Sequence, residues 1–136
     1  MRVLIDTNIV LDFLLNRDEY FKDANQIISK CAAKEIHGII AAHTISNMFF
    51  IMRKQYSVQE RKLLLKNMCK IFEVAGIDVN TILVALENED FDDFEDCLQM
   101  RCAVNTNAQY IVTRNPSDFT SSIVPVVSPK EIVTMI

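Results

Sequence analysis

Short, wholly apolar runs alternate along this chain with stretches in which apolar residues recur every three or four positions. Val3-Leu4-Ile5 is the first such run, and it ends on Asp6. Helical periodicity follows through Ile9, Val10, Phe13 and Leu14 and breaks near Asn16. The stripe Phe21, Ala24, Ile27, Ile28 and Cys31 predicts a second helix. A second strand is expected within Ile36 to Ala42. After it, Thr44 is placed to cap a helix carrying Ile45, Met48, Phe49 and Met52. Ser57 and Glu60 form an S-x-x-E capping box ahead of RKLLLKNMCK. Ile71 to Ala75 reads as a strand, and Thr81 to Leu86 as a short helix leading into an acidic stretch with its own helix. Tyr110 to Thr113 and Val124 to Val127 complete the strands. Ser128, Pro129 and Glu131 give an N-cap, a first-turn proline and a capping glutamate for a last helix.

Strands separated by helices predict an α/β fold of three layers, α/β/α, around a mostly parallel sheet of about five strands. Apolar strands fit the middle layer, where both faces are buried. With 136 residues, two glycines, three prolines and no linker or repeat, residues 1–136 are expected to form a single domain. Half the residues are apolar. A chain of this length buries about 68% of its unfolded surface, so the core needs no disulfide staples. The four cysteines lie in apolar helical patterns with no C-x-x-C pair, which fits reduced core thiols of a cytoplasmic protein and disfavours a zinc site. No apolar run approaches the ~20 residues that span a bilayer, and MRVLIDTN lacks signal-peptide anatomy, so no membrane role is expected. A net charge of −4 gives no whole-molecule attraction to nucleic acid. It leaves room for an enzyme whose clustered carboxylates hold metal.

In parallel α/β sheets, ligands collect outside the carboxyl ends of the strands. Asp6 stands at one such end and Asp118 just past another, in TRNPSDF. Seven of the ten residues from Glu87 to Asp96 are acidic, and Asp93 and Asp96, three apart, share one side of the helix start. Carboxylates packed together at neutral pH need a counter-charge, and Mg²⁺ or Mn²⁺ with its oxygen preference supplies one. The plain alternatives are that Asp6 caps the following helix, that Asp118 is turn chemistry and that most of the acidic run is solvated.

Taken together, the strand ending in D-T-N, then H-T-I-S-N before a helix, D-F-E-D-C-L-Q and Y-I-V-T-R-N-P-S-D-F resemble the PIN domain over nearly the whole chain. The bacterial single-domain branch with the VapC-type ribonuclease toxins is the nearest likeness. The resemblance implies cleavage of RNA, dependent on Mg²⁺ or Mn²⁺, with Asp6, Asp96 and Asp118 as catalytic acids and metal ligands and Asp93 as a helper. It also implies that Asn8 and Ser46 orient Asp6 or a metal water, and that Asn115 contacts metal or substrate. Arg114 is a candidate phosphate contact, with Arg101, Arg53 and Lys54 as weaker ones. A small antitoxin and a homodimer are the partners implied besides RNA.

One position departs from the family pattern. The helix after the second strand usually carries a glutamate where this chain has Asn47. An amide can ligate a hard cation but brings no charge. Asp93 compensates, or the metal binds more weakly, or the fold persists as a module that binds RNA or a protein without cutting. A haloacid-dehalogenase-like phosphotransferase would need D-x-D, and Asn8 stands at the second place.

Overall fold

A computed structural model describes all of residues 1–136. The chain runs β1 (Arg2–Ile5), α1 (Thr7–Leu14), α2 (Asp18–Ala32), β2 (His37–Ala41), α3 (Ala42–Ile51), α4 (Val58–Ile71), β3 (Glu73–Ala75), α5 (Val79–Glu87), α6 (Phe94–Asn105), β4 (Tyr110–Val112), β5 (Val126–Val127) and α7 (Pro129–Met135). Single 3₁₀ turns occupy Met52–Lys54 and Pro116–Phe119. The five strands form one sheet in the order β3-β2-β1-β4-β5, every pair parallel. β1 is central: Val3 pairs with Gly38 on one side and Tyr110 on the other.

Period-two alternation within the apolar strands sorts their side chains between two cores. Val3, Ile5, Ile40 and Val112 join the apolar stripes of α1, α2, α4 and α7 on one face. Leu4, Ile39, Ala41 and Ile111 join α5 and α6 on the other. The result is the expected α/β/α layering. Both capping boxes form, with Ser57 accepting from the Glu60 amide and Ser128 from the Glu131 amide. Asn16 takes a left-handed φ of 49°, which ends α1 where the periodicity breaks.

Three local expectations need correction. Thr44 does not cap α3. The helix begins at Ala42, and the buried Thr44 hydroxyl instead meets that of Thr7 at 2.9 Å. The acidic run is not the start of one helix. Asn88 Oδ1 accepts the amides of Asp90 and Phe91, the side-chain turn that such residues favour, and α6 begins only at Phe94. Cys31, Cys97 and Cys102 are buried free thiols, but Cys69 is exposed. No helix is long and apolar enough to cross a membrane.

Candidate active site

The chain proceeds from β1 to β2 and β3 on one side, then returns to β4 and β5 on the other. The crossover between β1 and β4 is the topological switch point, where parallel sheets open a crevice at the strands' carboxyl ends. Asp6 follows β1 there, and its amide donates to Val112 O of β4 at 3.0 Å. It occupies the N-cap position of α1 yet makes no side-chain cap. Its carboxylate turns inward instead, 8% exposed. Gln99 Nε2 donates to Oδ1 at 3.1 Å, and Thr113 Oγ1 to Oδ2 at 2.8 Å. Burial pushes the Asp6 carboxyl above the usual range, against the Thr113 bond that pulls it down, and nearby Asp118 adds to the rise.

Asp93 is the N-cap of α6, accepting the Asp96 amide at 3.0 Å. That fixes the first turn of the helix and aims Asp96 at the β1–β4 crevice. Burial pushes the Asp96 carboxyl up to about 7, and Asp93, Asp118, Asp6 and Glu95 add their repulsion. Asp118 arrives from the 3₁₀ turn after β4, with its amide bonded to Asn115 O. Asp6, Asp96 and Asp118 line one cavity of about 440 Å³. Asp93 does not reach it; Asp93 lines an adjoining space of about 100 Å³, with Asp96 and Asp118 as the dividing wall.

The opposite wall comes from α3 and the first turn of α1. Asn8, His43, Ser46 and Asn47 all reach the cavity. Burial holds the His43 imidazole below its usual range, with Glu95 opposing, and its Nδ1 is buried without a partner. Asn47 Nδ2 donates to Glu95 Oε2 at 3.4 Å. Glu95 is exposed, as the solvated reading of the acidic run has it, and it also lines the cavity. No signal along the chain marks it, because the contact joins two helices far apart in sequence.

Two expected contributors stand elsewhere. The Arg114 guanidinium is not free at the rim. Its Nε and Nη2 meet Asp12 Oδ2 and Oδ1 at 2.7 and 3.1 Å, and it stacks on the Tyr20 ring. Arg17 adds a bond of 3.2 Å to the same, 1% exposed Asp12. Asn115 begins the 3₁₀ turn that carries Asp118, and its backbone amide, rather than its side chain, is engaged, on Thr113 Oγ1. Arg53 is exposed over the Phe50 ring and does not line the cavity.

No lysine or arginine lines the main cavity. Besides the His43 imidazole, its polar groups are carboxylates, amides and hydroxyls, whose oxygens suit a hard cation. Gln99 adds a buried Oε1 that has no partner in the protein, an acceptor placed for a water. No three His, Cys, Asp or Glu side chains stand close enough together, as placed, to hold a metal ion among them.

The fold and site define a class of parallel five-stranded α/β domains with acids gathered at the switch point of the sheet. The sequence profile of the PIN domain matches residues 2–117, and this chain belongs to the PIN-domain family. Compared with curated protein sequences, it has no match. Among solved structures, it is similar to a chain of a toxin–antitoxin complex from Klebsiella pneumoniae at 25% identity, covering 93% of this chain and 97% of that one, TM-score 0.69. It shares its fold with a chain of VapBC2 from Rickettsia felis bound to a promoter DNA fragment, at 15% identity, coverages of 94% and 98%, TM-score 0.68. VapC20 of Mycobacterium tuberculosis, described as a toxin that cleaves the sarcin-ricin loop, matches at 10% identity over 80% of this chain and 86% of its own, TM-score 0.62.

Proposed function

We propose that residues 1–136 form a single cytoplasmic domain that hydrolyses RNA phosphodiester bonds endonucleolytically with Mg²⁺ or Mn²⁺. The observation that carries this is the convergence of Asp6, Asp96 and Asp118 on one cavity that holds no protein cation. These three residues would hold the metal. Bound there, a divalent cation lowers the pKa of a water and neutralises charge on the phosphate. Gln99 and Thr113 fix the Asp6 carboxylate, so its orientation does not depend on the metal. Before metal binds, burial and the neighbouring acids favour the protonated form of Asp96, so a cation would compete there with a proton. The unpaired Gln99 Oε1 is placed to accept a hydrogen bond from a water in the cavity. Asn8 and Ser46 offer polar side chains at the wall for phosphate oxygens.

The partners in this proposal are RNA, an antitoxin and a second copy of the chain. Support for an antitoxin comes from the Klebsiella and Rickettsia neighbours, described as toxin–antitoxin assemblies. A second groove, of about 660 Å³ and mostly apolar, lies between α3 and α4 beside Ile45, Phe49 and Leu63, with Lys62 and Lys66 at its edge. It offers a protein partner an apolar seat.

The test is incubation of the purified protein with structured and single-stranded RNAs in Mg²⁺ or Mn²⁺, with EDTA and Asp6→Asn as controls. Cleavage lost in both controls is the expected result. The uncharged Asn47 favours a second reading, a module that binds RNA or a partner without cutting. RNA binding with no turnover in either metal would select it.

A further inference from the structure

We infer that Glu95 supplies from α6 the carboxylate that Asn47 leaves missing on α3, with the Asn47 amide holding it over the cavity. The inference rests on the metal-dependent reading above. Glu95 and Asp96 are neighbours in the first turn of α6, so their side chains leave the helix about 100° apart. Asp96 faces Asp118 and Asp6, while Glu95 faces α3, where it meets Asn47 Nδ2 at 3.4 Å. Both carboxylates line the same cavity.

Glu95 has no ion pair, since the five ion pairs of the protein involve Glu73, Asp12 and Glu35 as acids. An exposed glutamate near three aspartates is driven by repulsion to swing into solvent. Asn47 gives it a reason to stay: an amide N–H donor at the position where a glutamate would have repelled it. The exchange is thus reciprocal. An acid at position 47 and an acid at 95 would compete for one space, whereas Asn47 and Glu95 fill it together with one charge.

A separate observation points to a ligand in that space. Gln99 lies four residues after Glu95, on the same side of α6. It is 3% exposed, lines the cavity, and keeps its Oε1 without a partner. A hydrated cation between the two would give Gln99 a water to accept from and Glu95 a positive charge to face.

The experiment is Mn²⁺ binding to the full chain, by calorimetry and by loss of the free-ion paramagnetic resonance signal, with folding checked by circular dichroism. Wild type, Asp6→Asn, Glu95→Gln, and Glu95→Gln combined with Asn47→Glu are compared. Glu95→Gln is expected to weaken binding about tenfold, as losing one charged group near a metal does. Adding Asn47→Glu to Glu95→Gln is expected to recover most of that loss, because the acid returns on the other wall. The proposal is overturned if Glu95→Gln binds like wild type, or if the double variant stays as weak as the single one. In both cases, binding by wild type that is lost in Asp6→Asn leaves the metal-dependent reading standing. Wild type that binds no Mn²⁺ overturns both.

Discussion

Two buried aspartates, one at the N-cap position of α1 and one within it, are treated in opposite ways. Asp12 is enclosed by the guanidinium groups of Arg114 and Arg17, at 2.7 to 3.2 Å. Asp6, a few residues earlier, receives only neutral donors from Gln99 and Thr113 and faces further acids. Burying a charge is costly unless a partner compensates for it. The protein provides that partner at Asp12, whereas at Asp6 Arg114 makes no bond and is the smallest of the influences on the carboxyl. Asp12 therefore reads as a rivet between α1, α2 and the loop after β4, and Asp6, on the function proposed above, as a socket for a cation from solution.

The largest test of the contrast is Asp6→Asn. Cleavage is expected to fall at least about 1000-fold, equivalent to ~4 kcal/mol, with Mg²⁺-dependent stabilisation also lost. Metal-free stability should hold or rise, since one repelling charge is gone. Urea unfolding with and without Mg²⁺ separates these. Asp12→Asn should do the reverse, costing about 3 kcal/mol of stability by stranding two arginines, equally with and without metal. If Asp12→Asn left stability intact while abolishing metal binding, the assignment of rivet and socket would be inverted.

Thr113→Val sharpens the socket's construction. It removes a donor to the Asp6 carboxylate and leaves the Asn115 amide without its acceptor, for an expected loss of about 2 kcal/mol in the same unfolding assay. The smallest effect concerns pH. The folded-state value of Asp96 is raised to about 7, so the metal-free folded chain binds more protons than the unfolded one between the ordinary aspartate range and that value. Its contribution is full at low pH and lost as pH rises through about 7. Because His43 shifts downward, its contribution below its ordinary range changes with pH in the opposite sense. Thermal scans in EDTA from pH 6.5 to 8 should therefore fall by a few degrees in wild type, and by less in Asp96→Asn. Mg²⁺ should offset that fall in wild type.

The sheet and two of its acids were readable along the chain because they depend on local pattern. Apolar runs such as Val3-Leu4-Ile5 declare buried strands, and the residue after each run must emerge at the carboxyl edge. The capping boxes at Ser57 and Ser128 are equally local. What escaped was decided across distance. Whether Asp6 caps α1 or serves the crevice depends on Gln99 and Thr113, 93 and 107 residues away. Arg114 follows a strand as a rim cation would, but the buried Asp12 claims it. Glu95 is exposed, as the acidic run implied, but its place beside Asn47 of α3 is a contact that no local pattern declares. Arg61, one of a row of basic residues on α4, is also buried, bonded to Phe49 O at 2.7 Å.

The strand order also sets a sequence in time. β1 leaves the ribosome first, yet its neighbour β4 is made last but one among the strands, with Val3 waiting for Tyr110. Asp6 waits likewise for Gln99 and Thr113, and the acidic crevice for Asp118. A nascent chain that has made β1, β2 and β3 has three of the five strands but one acid of the three. The cavity is completed only once Asp118 has been made. Until then, no folding among the first three strands can assemble the acidic site.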